Sequence, residues 1–176
     1  MSTLTVCLGD SLTYGYPYGP AASWVQATAE QSGQRLVNAG QNGATGPELI
    51  NGFARHVLAH QPDYVIIGTG TNEALRRECP SSYEKSIETL QALATRHGIV
   101  PILIVPIPLL TPEEETLGKL RELIRQQPCA TLDFYQPFLE ASTGKPDGRW
   151  YSDLVHPNRR GYRRLAQATL THRFWS

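Results

Sequence analysis

The sequence predicts an α/β protein, a three-layer α/β/α sandwich built on about five parallel strands. Three observations carry this expectation. Short runs rich in Val and Ile recur along the chain, each bounded by Gly, Pro or Asp. Their apolar character is continuous rather than alternating, as in strands covered on both faces. Helical stretches separate them, and such alternation favours a parallel sheet with helices on both sides. No internal repeat, low-complexity tract or linker interrupts the pattern, so residues 1–176 read as one domain.

The five strands are expected at Leu4–Leu8, Arg35–Asn38, Tyr64–Ile67, Val100–Val105 and Ala130–Phe134. A first helix, Ser23–Ser32, follows the first strand. Pro47–His60 opens with Pro at a first-turn position and spaces Leu49, Phe53 and Leu58 as a helix would. Ser81–His97 carries Ile87, Leu90 and Leu93. Pro112–Gln127 begins with three Glu residues, which suit a helix N-terminus. The last helix is expected from Pro157 to about His172.

Composition removes several classes of function. The 176 residues carry 16 Lys and Arg against 16 Asp and Glu, for a formal net charge of zero. That balance is not the basic surplus of a nucleic-acid-binding protein. The most apolar stretch, Gly98–Leu110, is broken by Pro101, Pro106 and Pro108, and it is too short for a membrane span. The N-terminus Met1-Ser2-Thr3-Leu4-Thr5-Val6 has no basic segment of the signal-peptide kind. Three scattered cysteines, Cys7, Cys79 and Cys129, do not form a disulfide framework. A cytoplasmic location is expected.

In open α/β sheets ligands bind beyond the carboxyl ends of the strands, so the residues following each run are the informative ones. After the first run comes Gly9-Asp10-Ser11-Leu12-Thr13. Ser11 there is either a nucleophile or a turn cap, and Thr13 breaks the G-x-S-x-G pattern of α/β-hydrolases. The second run leads into Gly40, Gly43 and Gly46, where backbone N–H groups can approach a ligand. Their spacing is not that of a dinucleotide loop. The third leads into Gly70-Thr71-Asn72-Glu73, in which Asn72 is a side-chain donor or a helix cap. Near the C-terminus, Asp153 and His156 stand three apart before a helix, so the carboxylate can accept from one ring nitrogen and leave the other as a base.

Taken together, GDSL at 9–12, the Gly-bearing loop at Gly43, GTN at 70–72 and DxxH at 153–156 resemble the blocks of the GDSL, or SGNH, hydrolases. They stand in that family's order, from Val6 to about Tyr162. The resemblance implies a flavodoxin-like fold and serine-dependent hydrolysis of carboxylic esters by an esterase, lipase or acylhydrolase. It implies Ser11 as nucleophile, His156 as general base and Asp153 as its orienting partner. The oxyanion hole would join the Ser11 N–H with Gly43 and Asn72, Gly40 being an alternative to Gly43. Neither cofactor nor metal is implied. The substrate would be a small ester: an acyl ester, an O-acetyl sugar, a lysophospholipid or a thioester. Glu73 stands where the family usually has Asp, and Leu154 where Gly is common; both would bear on the rim of the site. Tyr14, Tyr16, Tyr18 and Trp24 either line the entrance or pack locally, and Pro106–Leu110 should border it.

Two other readings compete. His56 and His60, four apart, have a zinc-chelating spacing, yet Val57 follows His56, so the base of HExxH is missing. A non-catalytic flavodoxin-like binding module would share the fold, but it leaves the spaced Ser, Gly, Asn, Asp and His residues without a role.

Overall fold

The computed structural model describes residues 3–172. Five strands, β1 (Leu4–Gly9), β2 (Arg35–Gly40), β3 (Tyr64–Gly68), β4 (Val100–Val105) and β5 (Ala130–Asp133), form one parallel sheet in the order β2-β1-β3-β4-β5. Seven α-helices accompany them among the described residues: α1 (Ser11–Tyr14), α2 (Trp24–Ser32), α3 (Gly46–His56), α4 (Thr71–Leu75), α5 (Pro80–Arg96), α6 (Glu114–Arg125) and α7 (Arg159–Thr171).

The strand order explains the layers. From β1 the chain steps outward to β2, then crosses back past β1 to β3 and continues to β4 and β5. Right-handed crossovers in opposite directions put their helices on opposite faces. Helix α2 accordingly packs with α7 against Cys7, Ile66, Ile102, Ile104 and Leu132. Helices α3, α5 and α6 cover the other face, against Val6, Leu8, Val65, Ile67 and Leu103. Adjacent strand residues thus feed two cores, which is why the central runs are apolar without alternation. The edge strands differ: Arg35 and Ala130 are exposed, and β2 is only partly covered.

Local chemistry sets the helix bounds. Ser23 caps α2, its Oγ accepting from Gln26 N at 3.2 Å. Glu48 accepts from Thr45 N at 2.7 Å at the start of α3. That helix, expected to reach His60, ends at His56, and a 3-10 turn covers Leu58–His60. His56 and His60 therefore do not share one helix, which removes the geometry behind the zinc spacing. Asn158 caps α7 by accepting from Arg160 N and Gly161 N, so the helix begins two residues beyond Pro157. Helices α1 and α4, of four and five residues, are too short to show a helical period in the sequence. Among the described residues no helix is long and apolar enough to cross a membrane.

Candidate active site

Strand β1 ends at Gly9 and the chain turns at once into α1. Asp10 caps this helix, its Oδ1 accepting from Leu12 N at 2.9 Å, and Ser11 becomes the first helical residue. Beside it, β3 runs through Gly68 into Thr69-Gly70 and α4. The ends of β1 and β3 are the place where strand order reverses direction, and a crevice opens at such a switch point. The four segments marked by the sequence meet there.

Ser11 Oγ lies 3.0 Å from His156 Nε2. His156 Nδ1 lies 2.8 Å from Asp153 Oδ2. The other carboxylate oxygen, Asp153 Oδ1, accepts from the backbone N–H groups of Val155 and His156, each at 2.7 Å. Partial burial opposes the charge on Asp153, but these two N–H groups and the His156 ring outweigh it and hold the carboxyl below its usual range. Asp153 is thus anionic at neutral pH and fixed relative to the ring. Ser11 is buried, the His156 side chain is 19% exposed and that of Asp153 is 47% exposed. The relay runs from a covered hydroxyl out to a solvated carboxylate.

Two links join the loop after β2 to α4. Asn72 Nδ2 donates to the Ala44 carbonyl at 2.9 Å, and Arg76 Nη2 donates to the Gly43 carbonyl at 2.8 Å. The Asn72 amide is thereby oriented with one N–H still available. Gly43, at φ +78°, sits in the left-handed region that favours glycine. Among the described residues its N–H has no protein acceptor, and neither does that of Ser11. Gly40 is different. Its N–H donates to Asn38 Oδ1 at 2.9 Å, and a Cβ there would lie 2.1 Å from Tyr14 N. Gly40 therefore lets α1 pack against β2 and has no free donor, which distinguishes it from Gly43.

The rim departs from the expectation in one respect. Glu73, expected to shape it, is 1% exposed and faces inward. Its carboxylate accepts from Gly46 N, Thr69 Oγ1 and Gly70 N at 2.6–2.8 Å, tying the loop after β2 to the loop after β3. Leu154 does stand at the rim, 57% exposed, and Tyr16, 42% exposed, lies with its ring centroid 4.6 Å from that of His156. Trp24 is in the core; Pro106 and Ile107 are buried beside Asp10, Leu12, Thr69 and Thr71, and Leu110 donates to the Leu154 carbonyl at 2.9 Å.

Asp10 had no signal beyond its place in the GDSL block, yet it is 2% exposed beside Ser11. Burial, aided by the charge of Glu73 and opposed by the Leu12 N–H, pushes its pKa up to about 7. Among the described residues no three His, Cys, Asp or Glu side chains cluster as metal ligands would.

Comparison with known proteins identifies the family and the fold. A family model described as GDSL-like Lipase/Acylhydrolase matches residues 7–164. The thioesterase 1/protease 1/lysophospholipase L1 of Escherichia coli (strain K12) is 27% identical over 159 residues, covering 86% of this chain and 74% of that protein. A lipolytic protein of the G-D-S-L family from Desulfitobacterium hafniense DCB-2 superposes with a TM-score of 0.88 at 27% identity, over 96% of this chain and 98% of that one. A W215I variant of an acetyl xylan esterase from Geobacillus stearothermophilus superposes with a TM-score of 0.85 at 21% identity, over 99% and 95% of the two chains. At that identity the likeness concerns the fold.

Proposed function

Because this chain belongs to the GDSL-like lipase/acylhydrolase family and is an ester hydrolase of that type, we propose that it cleaves carboxylic esters through an acyl-enzyme on Ser11, with His156 as general base and Asp153 as its orienting partner. The observation that carries the reading is the relay itself, 3.0 Å from Ser11 Oγ to Nε2 and 2.8 Å from Nδ1 to Asp153.

In this mechanism Oγ bonds to the ester carbonyl carbon while its proton passes to Nε2. The carbonyl electron pair moves onto oxygen. The N–H groups of Ser11 and Gly43 and the free amide hydrogen of Asn72 receive that charge, which appears only in the tetrahedral state. Collapse expels the alcohol, protonated by His156. Water then gives a proton to Nε2 as its oxygen bonds to the acyl carbon, and collapse breaks the carbon–Oγ bond, returns the Nε2 proton to Ser11 Oγ and frees the carboxylic acid. Asp153 keeps Nδ1 protonated, so that Nε2 faces the serine as the basic nitrogen.

For the substrate we infer a small ester with an apolar portion lying across Tyr16, whose exposed ring stands against His156. Acyl esters, O-acetyl sugars, lysophospholipids and thioesters all present a carbonyl suited to the relay. A panel varying acyl length and leaving group ranks them. We place the enzyme in the cytoplasm, a reading supported by its three unpaired cysteines.

Fluorophosphonate labelling followed by peptide mass spectrometry tests the assignment. The adduct is expected on the peptide containing Ser11. Ser11→Ala should lose nearly all turnover, down to the roughly 10³–10⁴-fold over water that other site groups sustain. Labelling of another serine, or full activity in Ser11→Ala, overturns the assignment.

A further inference from the structure

Helix α7 carries its charges in an arrangement that the other helices avoid. Glu114 and Glu115 open α6 and Arg125 closes it; Glu48 opens α3 and Arg55 closes it. In both, acids face the positive end of the helix dipole and bases the negative end. Helix α7 reverses this. Arg159, Arg160, Arg163 and Arg164 all lie in its first six residues, and the helix contains no acidic residue. Arg159–Arg163 and Arg160–Arg164 are like-charged pairs at the i,i+4 spacing, where repulsion acts directly. All four are exposed, and among the described residues none of them joins a salt bridge. A quarter of the chain's cationic side chains therefore crowds one surface of a protein with zero net charge.

This surface is shaped. Arg160, Arg163 and Arg164 line a groove of about 590 Å³ together with Pro137, Trp150 and Gln167. The Arg164 guanidinium lies 4.6 Å and that of Arg160 5.3 Å from the Trp150 ring centroid. Stacking on a rigid aromatic holds these guanidinium groups in place while their N–H edges stay free to donate. Arg164 is fixed further by donating from Nε to the Pro137 carbonyl.

We propose that this groove binds a soluble small molecule bearing phosphate groups, as a site separate from Ser11. Planar guanidinium groups match phosphate oxygens bidentately, and a polyanion relieves the repulsion and the unfavourable dipole contact together. Apart from Trp150, the walls of the groove present no large apolar side chain. That suits a discrete anion better than a bilayer.

The test uses the full chain, with pyrophosphate and inorganic phosphate as probes and sodium chloride at matched ionic strength as reference. Pyrophosphate is expected to raise Tm by roughly 3–6 °C at ten times its Kd, with phosphate weaker. Arg160→Gln/Arg163→Gln should abolish the rise while its Tm in plain buffer equals or exceeds that of the wild type, since repulsion is removed. Its hydrolysis of a neutral short-chain ester should be unchanged, which separates this site from the ester-hydrolase reading. Arg163→Gln alone, with circular dichroism, serves if the double variant does not fold. An equal rise with sodium chloride, or a rise retained by the variant, overturns the proposal. So does binding seen only on phosphatidylglycerol vesicles and not with either phosphate probe.

Discussion

The Asn72 amide has two hydrogens, and one is committed to the Ala44 carbonyl. The commitment aims the other, so that a flexible side chain becomes a fixed donor. Asn72→Ala is expected to lower kcat by about 10²–10³ with a small change in KM, because the lost bond forms only in the tetrahedral state. Steady-state kinetics on a short-chain ester decide; a raised KM with kcat intact would make Asn72 a substrate-binding residue only. Short motifs marked Ser11, Asp153 and His156 as candidates, and the resemblance of the four blocks together gave them their proposed roles; the structure brings the three side chains within hydrogen-bond distance. Gly43 and Gly40 were not separable in the same way. Each is a glycine in one loop, and what divides them is that Asn38 occupies the Gly40 N–H. Glu73 was misplaced for a related reason. A carboxylate reads as surface chemistry until the three donors that surround it are known.

At the scale of elements, the site depends on a helix of four residues. Helix α1 carries Ser11 and packs where β2 ends, and Gly40 lets the two backbones approach. Gly40→Ala would set a Cβ 2.1 Å from Tyr14 N, backbone against backbone, with no flexible side chain to give way. It is expected to destabilise the protein by about 1–3 kcal/mol, as overpacking does, and to reduce kcat by displacing Ser11 from His156. Thermal melts and turnover measured on the same sample check this; an unchanged Tm would show that α1 yields freely. Neither α1 nor α4 is long enough to display a helical period, so periodicity passed over the two elements that present Ser11 and Asn72. The longer helices α2, α3, α5, α6 and α7 each bury an apolar face and were visible for that reason.

For the molecule as a whole, Asp10 sets a pH dependence of stability. Its carboxyl is raised to about 7 in the folded state, against an ordinary value of about 3.9. A raised carboxyl favours the protonated fold. The associated stability is present in full below about pH 4, is lost as pH rises and the unfolded chain alone releases its proton, and stops falling above about 7. Asp10→Asn keeps an acceptor for Leu12 N and cannot ionise. Its stability relative to the wild type should therefore grow between pH 4 and 7 by on the order of 2–4 kcal/mol. Denaturant melts across pH 4–8 measure the difference; a constant offset would mean that Asp10 does not titrate there.

The layered α/β architecture and the parallel sheet were readable from apolar runs and caps a few residues long. The serine, the histidine and its carboxylate were candidates at that level, and the order of four blocks along the chain supplied their proposed roles. Tertiary structure alone decided which glycine keeps a free N–H, that Glu73 is a buried tie, that Asp10 shares its surroundings, and that the α7 arginines border a groove. Each of these rests on contacts between segments far apart in the chain. Burial and partner donors determine what a polar group does, and no local pattern encodes them.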